Sequence, residues 1–195
     1  MLREKLKDYR VILASASPRR QQFFTEMEIP FEVHKMPVDE IYPGHLQGKQ
    51  ISDYLARLKA GPFMDKLREK DILVTSDTVV WHKDTSLAKP RDEAEAVAML
   101  RTLSGDRHQV ITSVCLTTSR SQKIVSQTTQ VKFRNLEETE IHYYVHHYRP
   151  FDKAGGYGIQ EWIGLVGIEE IQGSYPNVVG LPTHLVYSAL LEIMG

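Results

Sequence analysis

Val11-Ile12-Leu13-Ala14-Ser15-Ala16-Ser17-Pro18-Arg19-Arg20-Gln21-Gln22-Phe23-Phe24 sets the reading of the whole chain. The apolar run at its start has the length and composition of a short buried strand, which must stop where the hydroxyls begin. Pro18 suits the first position of a helix, where a missing N–H costs nothing, and Ser17 just before it is a good N-cap. The stretch therefore predicts a strand over residues 9–14, a tight turn, and a helix over 18–28. Such a turn presents free backbone N–H groups, two hydroxyls and two guanidinium groups at one helix N-terminus. The helix dipole adds to their pull on an anion. Two readings stand: a phosphate site, or an ordinary capped helix carrying two surface arginines.

The strand-then-helix alternation continues outward from this point and predicts a mixed α/β protein. Pro30 ends the first helix and Phe31 to His34 starts a short strand. Pro37, Pro43, Gly44 and Gly48 mark a loop. Ile51, Leu55 and Leu58 recur at helical spacing until Gly61-Pro62, which breaks or kinks the helix. Asp71 to Trp81 reads as a central strand, and Asp92 with Glu95 caps a helix whose buried face is Ala96, Met99, Leu100 and Leu103. Two alternating strands follow through Val110–Leu116 and Gln127–Phe133, with a hairpin turn at Ser119–Lys123. Glu137–Tyr148 is expected to be helical, residues 150–160 a glycine-rich loop, Trp162–Ile171 a strand, and Pro182–Met194 a terminal helix. No linker composition interrupts the chain, so one domain over residues 1–195 is expected, with two lobes around a cleft as one arrangement of it.

Composition excludes several classes. Apolar residues make up 42% and charged residues 25%, which is ordinary for a water-soluble globular chain. The formal net charge is −1, so no global positive field draws the protein to a nucleic-acid polymer, and any anion binding must be local. The single cysteine, Cys115, lies in a strand-like run and reads as a small core residue. The start of the chain is charged and lacks the apolar core of a signal peptide. No run reaches membrane-spanning length. A cytoplasmic protein without membrane partners is expected.

Four segments carry chemistry. The first is the Ser15–Arg20 turn. The second is Val74-Thr75-Ser76-Asp77-Thr78-Val79-Val80, where an acid and hydroxyls interrupt an apolar strand. A buried carboxylate is costly unless it is paired or bound to a metal; the bland alternative is an Asp closing a turn. The third is Leu87-Ala88-Lys89-Pro90-Arg91, which holds a lysine in extended backbone, although most loop lysines are merely solvated. The fourth is Asp152-Lys153-Ala154-Gly155-Gly156-Tyr157-Gly158-Ile159-Gln160, either a ligand loop or a flexible segment with incidental charges. Arg19, Arg20, Lys89 and Lys153, with Lys59 as a further candidate, suit a compact polyanion better than a polymer. Asp77 and Glu40 supply hard oxygens for Mg²⁺ or Mn²⁺ shared with substrate phosphates. His142 and His146 lie four apart on a helix, a spacing that allows a metal in principle, yet with His147 and the neighbouring tyrosines they read as a solvated or partner-facing surface.

On these residues the chain resembles the Maf nucleoside triphosphate pyrophosphatases, relatives of the inosine triphosphatase fold. The resemblance runs nearly end to end. It is carried by Leu13–Arg20, Val38-Asp39-Glu40, Leu55–Ala60, Ser76–Val80, Lys89-Pro90, Met99–Gly105, Asp152–Gln160 and Gly173–Pro182. It implies an elongated mixed sheet flanked by helices, with two lobes around a cleft. It implies hydrolysis of a nucleoside triphosphate to the monophosphate and pyrophosphate with a divalent cation. Asp77 matches the family's proton acceptor. Ser15, Ser17, Arg19, Arg20, Lys59, Thr78, Lys89, Lys153 and Gln160 fall at substrate positions, and Glu40 with Asp77 at the metal. The subgroup acting on dTTP and UTP carries Arg, Thr and Gln where this chain has Arg19, Thr78 and Gln160, whereas the 7-methyl-GTP subgroup has Trp, Gln and Glu. Gln160 offers both a donor and an acceptor to the imide edge of uracil or thymine. The resemblance also admits a homodimer, a nucleotide sensor in septum inhibition, and an inosine or xanthosine triphosphatase. Thr75, Ala88 and Glu161–Gly164 depart from residues common in the family.

Overall fold

The computed structural model describes residues 1–194. In chain order its elements are α1 (Leu2–Lys5), β1 (Arg10–Leu13), α2 (Pro18–Glu26), β2 (Glu32–Val33), α3 (Lys49–Ala60), β3 (Asp71–His82), β4 (Thr85–Leu87) and α4 (Glu93–Leu103). There follow β5 (Arg107–Thr117), β6 (Gln122–Phe133), α5 (Glu138–Tyr148), α6 (Trp162–Gly167), β7 (Ile168–Gln172), α7 (Tyr175–Val179) and α8 (Thr183–Met194). Among the described residues seven strands form one sheet in the order β2-β1-β3-β5-β6-β7, with β4 beside β3. β1 runs parallel to β2 and β3, while β4 is antiparallel to β3 and β7 to β6. The sheet is mixed and flanked by helices, as the sequence led us to expect.

Two compact units divide the chain. The first comprises Met1–Asp77, Thr112–Gln127 and Gly180 onward. Its packing follows from strand alternation. Val11 and Leu13 of β1, with Ile72 and Val74 of β3, join Phe24 of α2 and Val186 and Leu190 of α8 in one apolar cluster. Ile12 and Leu73, one residue out of phase, join Ala60 and Phe63 in another. Successive side chains of a strand leave on opposite faces, so α2 and α8 cover one face and α3 the other. Burying a side chain such as Phe24 or Leu73, each 0% exposed, contributes roughly 2 kcal/mol. The charged start of the chain is also used: α1 forms there, and Leu2 and Leu6 are buried in the first cluster.

The second unit comprises Thr78–Ile111 and Thr128–Val179. Its main cluster packs Ala96, Leu100 and Leu103 of α4 and Ile141, Tyr144 and Val145 of α5 with Phe133, Tyr157 and Ile163. Asp92 caps α4 through Glu95 N at 2.8 Å, while the Glu95 carboxylate reaches back to Arg91 N at 2.7 Å. One expectation fails here. Trp162–Ile171 is not a single strand: residues 162–167 are helical and only Ile168–Gln172 is strand. The β-branched content suggested extension, but Gly164 lets the backbone fold onto the preceding segment; a Cβ there would lie 1.8 Å from the Ile159 carbonyl oxygen. Ile163 and Gly167 are buried at helical spacing, and Leu165 between them is 82% exposed. In a strand all three would share a face.

Candidate functional site

The Ser15–Arg20 turn forms as read. Ser17 is the N-cap of α2, its Oγ accepts from Arg20 N at 3.5 Å, and Pro18 occupies the first turn. Ser15 Oγ accepts from Ser17 N at 3.2 Å. Those two N–H groups are therefore taken within the turn, which is a correction to the expectation that the turn leaves its amides free for an anion. Ala14 N donates to Val74 O, and the parallel register pairs Leu13 with Val74. The turn consequently lies at the carboxyl end of β1, beside the part of β3 that leads into Asp77. Loops at the carboxyl ends of parallel strands are where open α/β sheets bind ligands.

Arg20 is partly buried and acts as a brace. Its Nε donates to Gly180 O at 2.8 Å and its Nη1 to Ser76 O at 3.1 Å. Burial pulls its pKa below the ordinary arginine value, the Asp77 and Glu40 carboxylates oppose that pull, and Arg19 adds to it. A guanidinium so placed stays charged at neutral pH.

Asp77 has the partner that a buried carboxylate requires. It is 6% exposed, and its Oδ1 receives Lys59 Nζ at 2.6 Å. The same Nζ lies 3.0 Å from Glu40 Oε1. Two periodicities produce this geometry. Thr75 and Asp77 share a face of β3, and Thr75 Oγ1 donates to Ala56 O at 2.6 Å, which seats α3. Lys59 follows Ala56 by one helical turn and so meets Asp77, two residues along the strand.

Glu40 Oε1 and Asp77 Oδ1 both lie within 3.0 Å of Lys59 Nζ, and these two carboxylates could hold a divalent cation. Their convergence on a single point charge fits Mg²⁺ or Mn²⁺, which take hard oxygens. Among the described residues no cluster of three or more His, Cys, Asp or Glu side chains is arranged to hold a metal. A cation here would complete its shell with phosphate oxygens and water, the usual manner of Mg²⁺. His142 sits 3.6 Å from Glu138 on the exposed side of α5, in keeping with the solvated-face reading.

In the second unit Thr78 follows Asp77 along β3 and is partly buried. Lys153 is 9% exposed, with Nζ 2.6 Å from Asp152 Oδ1 and 3.1 Å from Glu161 Oε1. Gly155, at φ +72°, packs against the Val80 side chain, and its N–H donates to Ala88 O at 3.2 Å. The glycine loop is thereby tied to the segment that carries Lys89, which is exposed. Gln160 is exposed at the far end of the loop. Sequence reasoning missed Glu161 and Tyr144. The Tyr144 hydroxyl donates to Glu161 Oε2 and accepts from Gly158 N at 2.9 Å. Burial, reinforced by the Glu161 carboxylate, raises the pKa of that hydroxyl. The sequence places Tyr144 with the solvated tyrosines beside His142 and His146, and the structure corrects this: Tyr144 is fully buried and packs with Ile141 and Val145, one helical face away from the exposed histidines. Glu161 reads in the sequence as a family departure. Its place beside Gln160 was the available signal.

Residues 10–193 match the model of the Maf family, described as Maf-like protein. The chain belongs to the Maf family. It is 54% identical over 195 residues to a Christiangramia forsetii protein named dTTP/UTP pyrophosphatase, covering 100% of both chains. A Flavobacterium psychrophilum protein of the same name is 53% identical over 192 residues, covering 98% of each. Among solved structures, a HAM1 protein from Coxiella burnetii is similar at a TM-score of 0.47 and 14% identity, covering 94% of this chain and 99% of that one. No helix among the described residues of this Maf-family chain is long and apolar enough to cross a membrane.

Proposed function

We propose that this chain hydrolyses dTTP and UTP to the nucleoside monophosphate and pyrophosphate. The observation that carries the reading is Asp77, buried and held by Lys59 beside Glu40, next to the basic turn at the carboxyl end of β1. Two full-length relatives that bear this activity in their names support it.

Asp77 is the proton acceptor in this reading. A fixed carboxylate accepts the proton of a water attacking the α-phosphorus in line. Lys59, Arg19 and Arg20 offset the phosphate charge, with Ser15 and Ser17 as hydroxyl donors to phosphate oxygens. Arg20 does so while remaining hydrogen-bonded to two carbonyls, so it acts as a fixed charge and not as a mobile clamp. Glu40 and Asp77 would hold a divalent cation, which when bound supplies Lewis-acid charge to the phosphates and lowers the pKa of coordinated water. Thr78, Lys89, Lys153 and Gln160 take the substrate roles that the subgroup resemblance assigns them, with Gln160 at the pyrimidine edge. We take residues 1–195 as one catalytic domain, since β3, β5 and β6 each contribute residues to both compact units. We place the enzyme in the cytoplasm, acting on free nucleotides and not on a nucleic-acid polymer.

The test is pyrophosphate release from dTTP and UTP with Mg²⁺ or Mn²⁺, compared with ITP and 7-methyl-GTP under the same conditions. Preferential release from the two pyrimidine nucleotides is expected. Tight binding without product would turn the reading toward a nucleotide sensor, and faster turnover of ITP would move it to the inosine triphosphatases.

A further inference from the structure

We propose that the Lys59 ammonium is a built-in counter-ion that competes with the divalent cation for Glu40 and Asp77 and passes to a nucleotide phosphate when the cation binds. The inference rests on reading those two carboxylates as the metal ligands.

Lys59 Nζ lies 2.6 Å from Asp77 Oδ1 and 3.0 Å from Glu40 Oε1. One ammonium therefore holds both oxygens that a cation would use. The Asp77 side chain is 9% exposed, and a carboxylate so buried needs a cation beside it at all times. Lys59 meets that need before any ligand arrives. The same charge opposes a divalent cation placed between the same oxygens, because like charges a few ångströms apart repel strongly outside bulk water. Helix movement is a poor way to relieve this conflict. Ala60 is fully buried, and Ala56 O accepts Thr75 Oγ1 at 2.6 Å, so α3 is pinned on both sides of the lysine. The flexible four-carbon stem is free to swing, and its 18% exposure leaves the ammonium a path outward.

An ammonium displaced from two carboxylates needs a new acceptor, which a triphosphate supplies. The cation and the nucleotide should then strengthen each other's binding through one side chain, and by linkage the effect is reciprocal. Cation alone is expected to bind weakly, and in its absence Lys59 keeps both carboxylates partnered.

The experiment is a titration of the full chain with Mn²⁺, read by loss of the free-ion paramagnetic resonance signal, without nucleotide. Lys59→Met keeps the length of the side chain and removes its charge; it should bind Mn²⁺ at least tenfold more tightly than wild type. Lys59→Arg keeps the charge and should bind no more tightly than wild type. An unhydrolysable α,β-methylene dTTP should raise the Mn²⁺ affinity of wild type more than that of Lys59→Met. Equal or weaker Mn²⁺ binding by folded Lys59→Met overturns the proposal. A second measurement needs no variant: Mg²⁺ with the dTTP analogue should change the acetylation rate of Lys59 in wild type several-fold while leaving Lys83 unchanged, and an unchanged Lys59 rate overturns the proposal. A chain that binds Mn²⁺ but does not cleave dTTP would instead overturn the proposed function, whereas a chain that cleaves dTTP and fails the titration loses only this role for Lys59.

Discussion

Asp77→Asn keeps the shape of the side chain while withdrawing the proposed base and one of the two carboxylates proposed to hold the cation. Asn has nearly the same shape, and its Oδ1 can still accept from Lys59 Nζ, which sits 2.6 Å from the present oxygen. The ammonium also keeps Glu40 at 3.0 Å. What changes in the fold is the replacement of a charge-assisted hydrogen bond by a neutral acceptor, a loss of about 1 kcal/mol. The nucleotide complex loses a negative charge near the triphosphate, so dTTP binding should hold or tighten. The reaction loses its proton acceptor, and a positioned general base contributes roughly 10²- to 10⁴-fold. That corresponds to about 3–5 kcal/mol on the barrier. Pyrophosphate release under saturating dTTP measures turnover, equilibrium dialysis measures binding, and urea unfolding measures the fold. Turnover within about fivefold of wild type in a folded variant would refute the assignment of Asp77 as base, since that change is far below the general-base range. A loss of stability beyond about 3 kcal/mol would refute the account of the Lys59 pair, because that is the cost of a buried charge left alone.

Three further outcomes are expected. Arg20→Met withdraws the guanidinium donor from Gly180 O and Ser76 O, and at about 1–3 kcal/mol for each orphaned acceptor the urea midpoint should fall by the equivalent of roughly 2–6 kcal/mol. Glu161→Gln keeps an acceptor for Tyr144 but withdraws one of the two carboxylates beside Lys153, so KM for dTTP should shift several-fold with kcat nearly unchanged; identical KM values would remove Glu161 as a positioning residue. Burial holds His108 neutral, its pKa pushed down to about 3, with Nε2 2.6 Å from the Tyr157 hydroxyl. The unfolded chain protonates this residue below about 6.5 while the folded chain does not, so stability falls with pH through the window between 6.5 and 3, by about 2 kcal/mol at pH 5. In His108→Gln that part of the acid dependence should vanish from unfolding curves taken at pH 7 and 5.

Much of the fold was legible because it depends on neighbours in sequence. Ser17-Pro18 announces a helix start through the chemistry of its own backbone. The apolar run of β3 and the face of α4 appear as periodicities within a dozen residues. The isolated acid of β3 was a readable signal, since an apolar strand does not hold a carboxylate without a partner. Residues 162–167 are helical where the local pattern favours a strand. Their β-branched side chains favour extension, but the fit of Gly164 against Ile159 and the burial of Ile163 in the core of the second unit favour a helix. Tertiary packing outweighs a propensity of a few tenths of a kcal/mol per residue.

By itself, then, the sequence determined the mixed α/β class, the capped turn at Ser17 and the set of charged residues from which the candidate site is drawn. Only the tertiary structure decided how those charges are used. Arg20 reads locally as a free phosphate ligand, and it became a brace because carbonyls 56 and 160 residues away face its guanidinium. Lys59 reads as one more basic side chain on a helix, and it stands between Asp77 and Glu40 because α3 is seated on β3 through Thr75 and Ala56. Caps and periodicities are set by bonds within a turn or two of chain. The partner of a charge is set by which distant segments the buried core brings within three ångströms, and no local pattern carries that information.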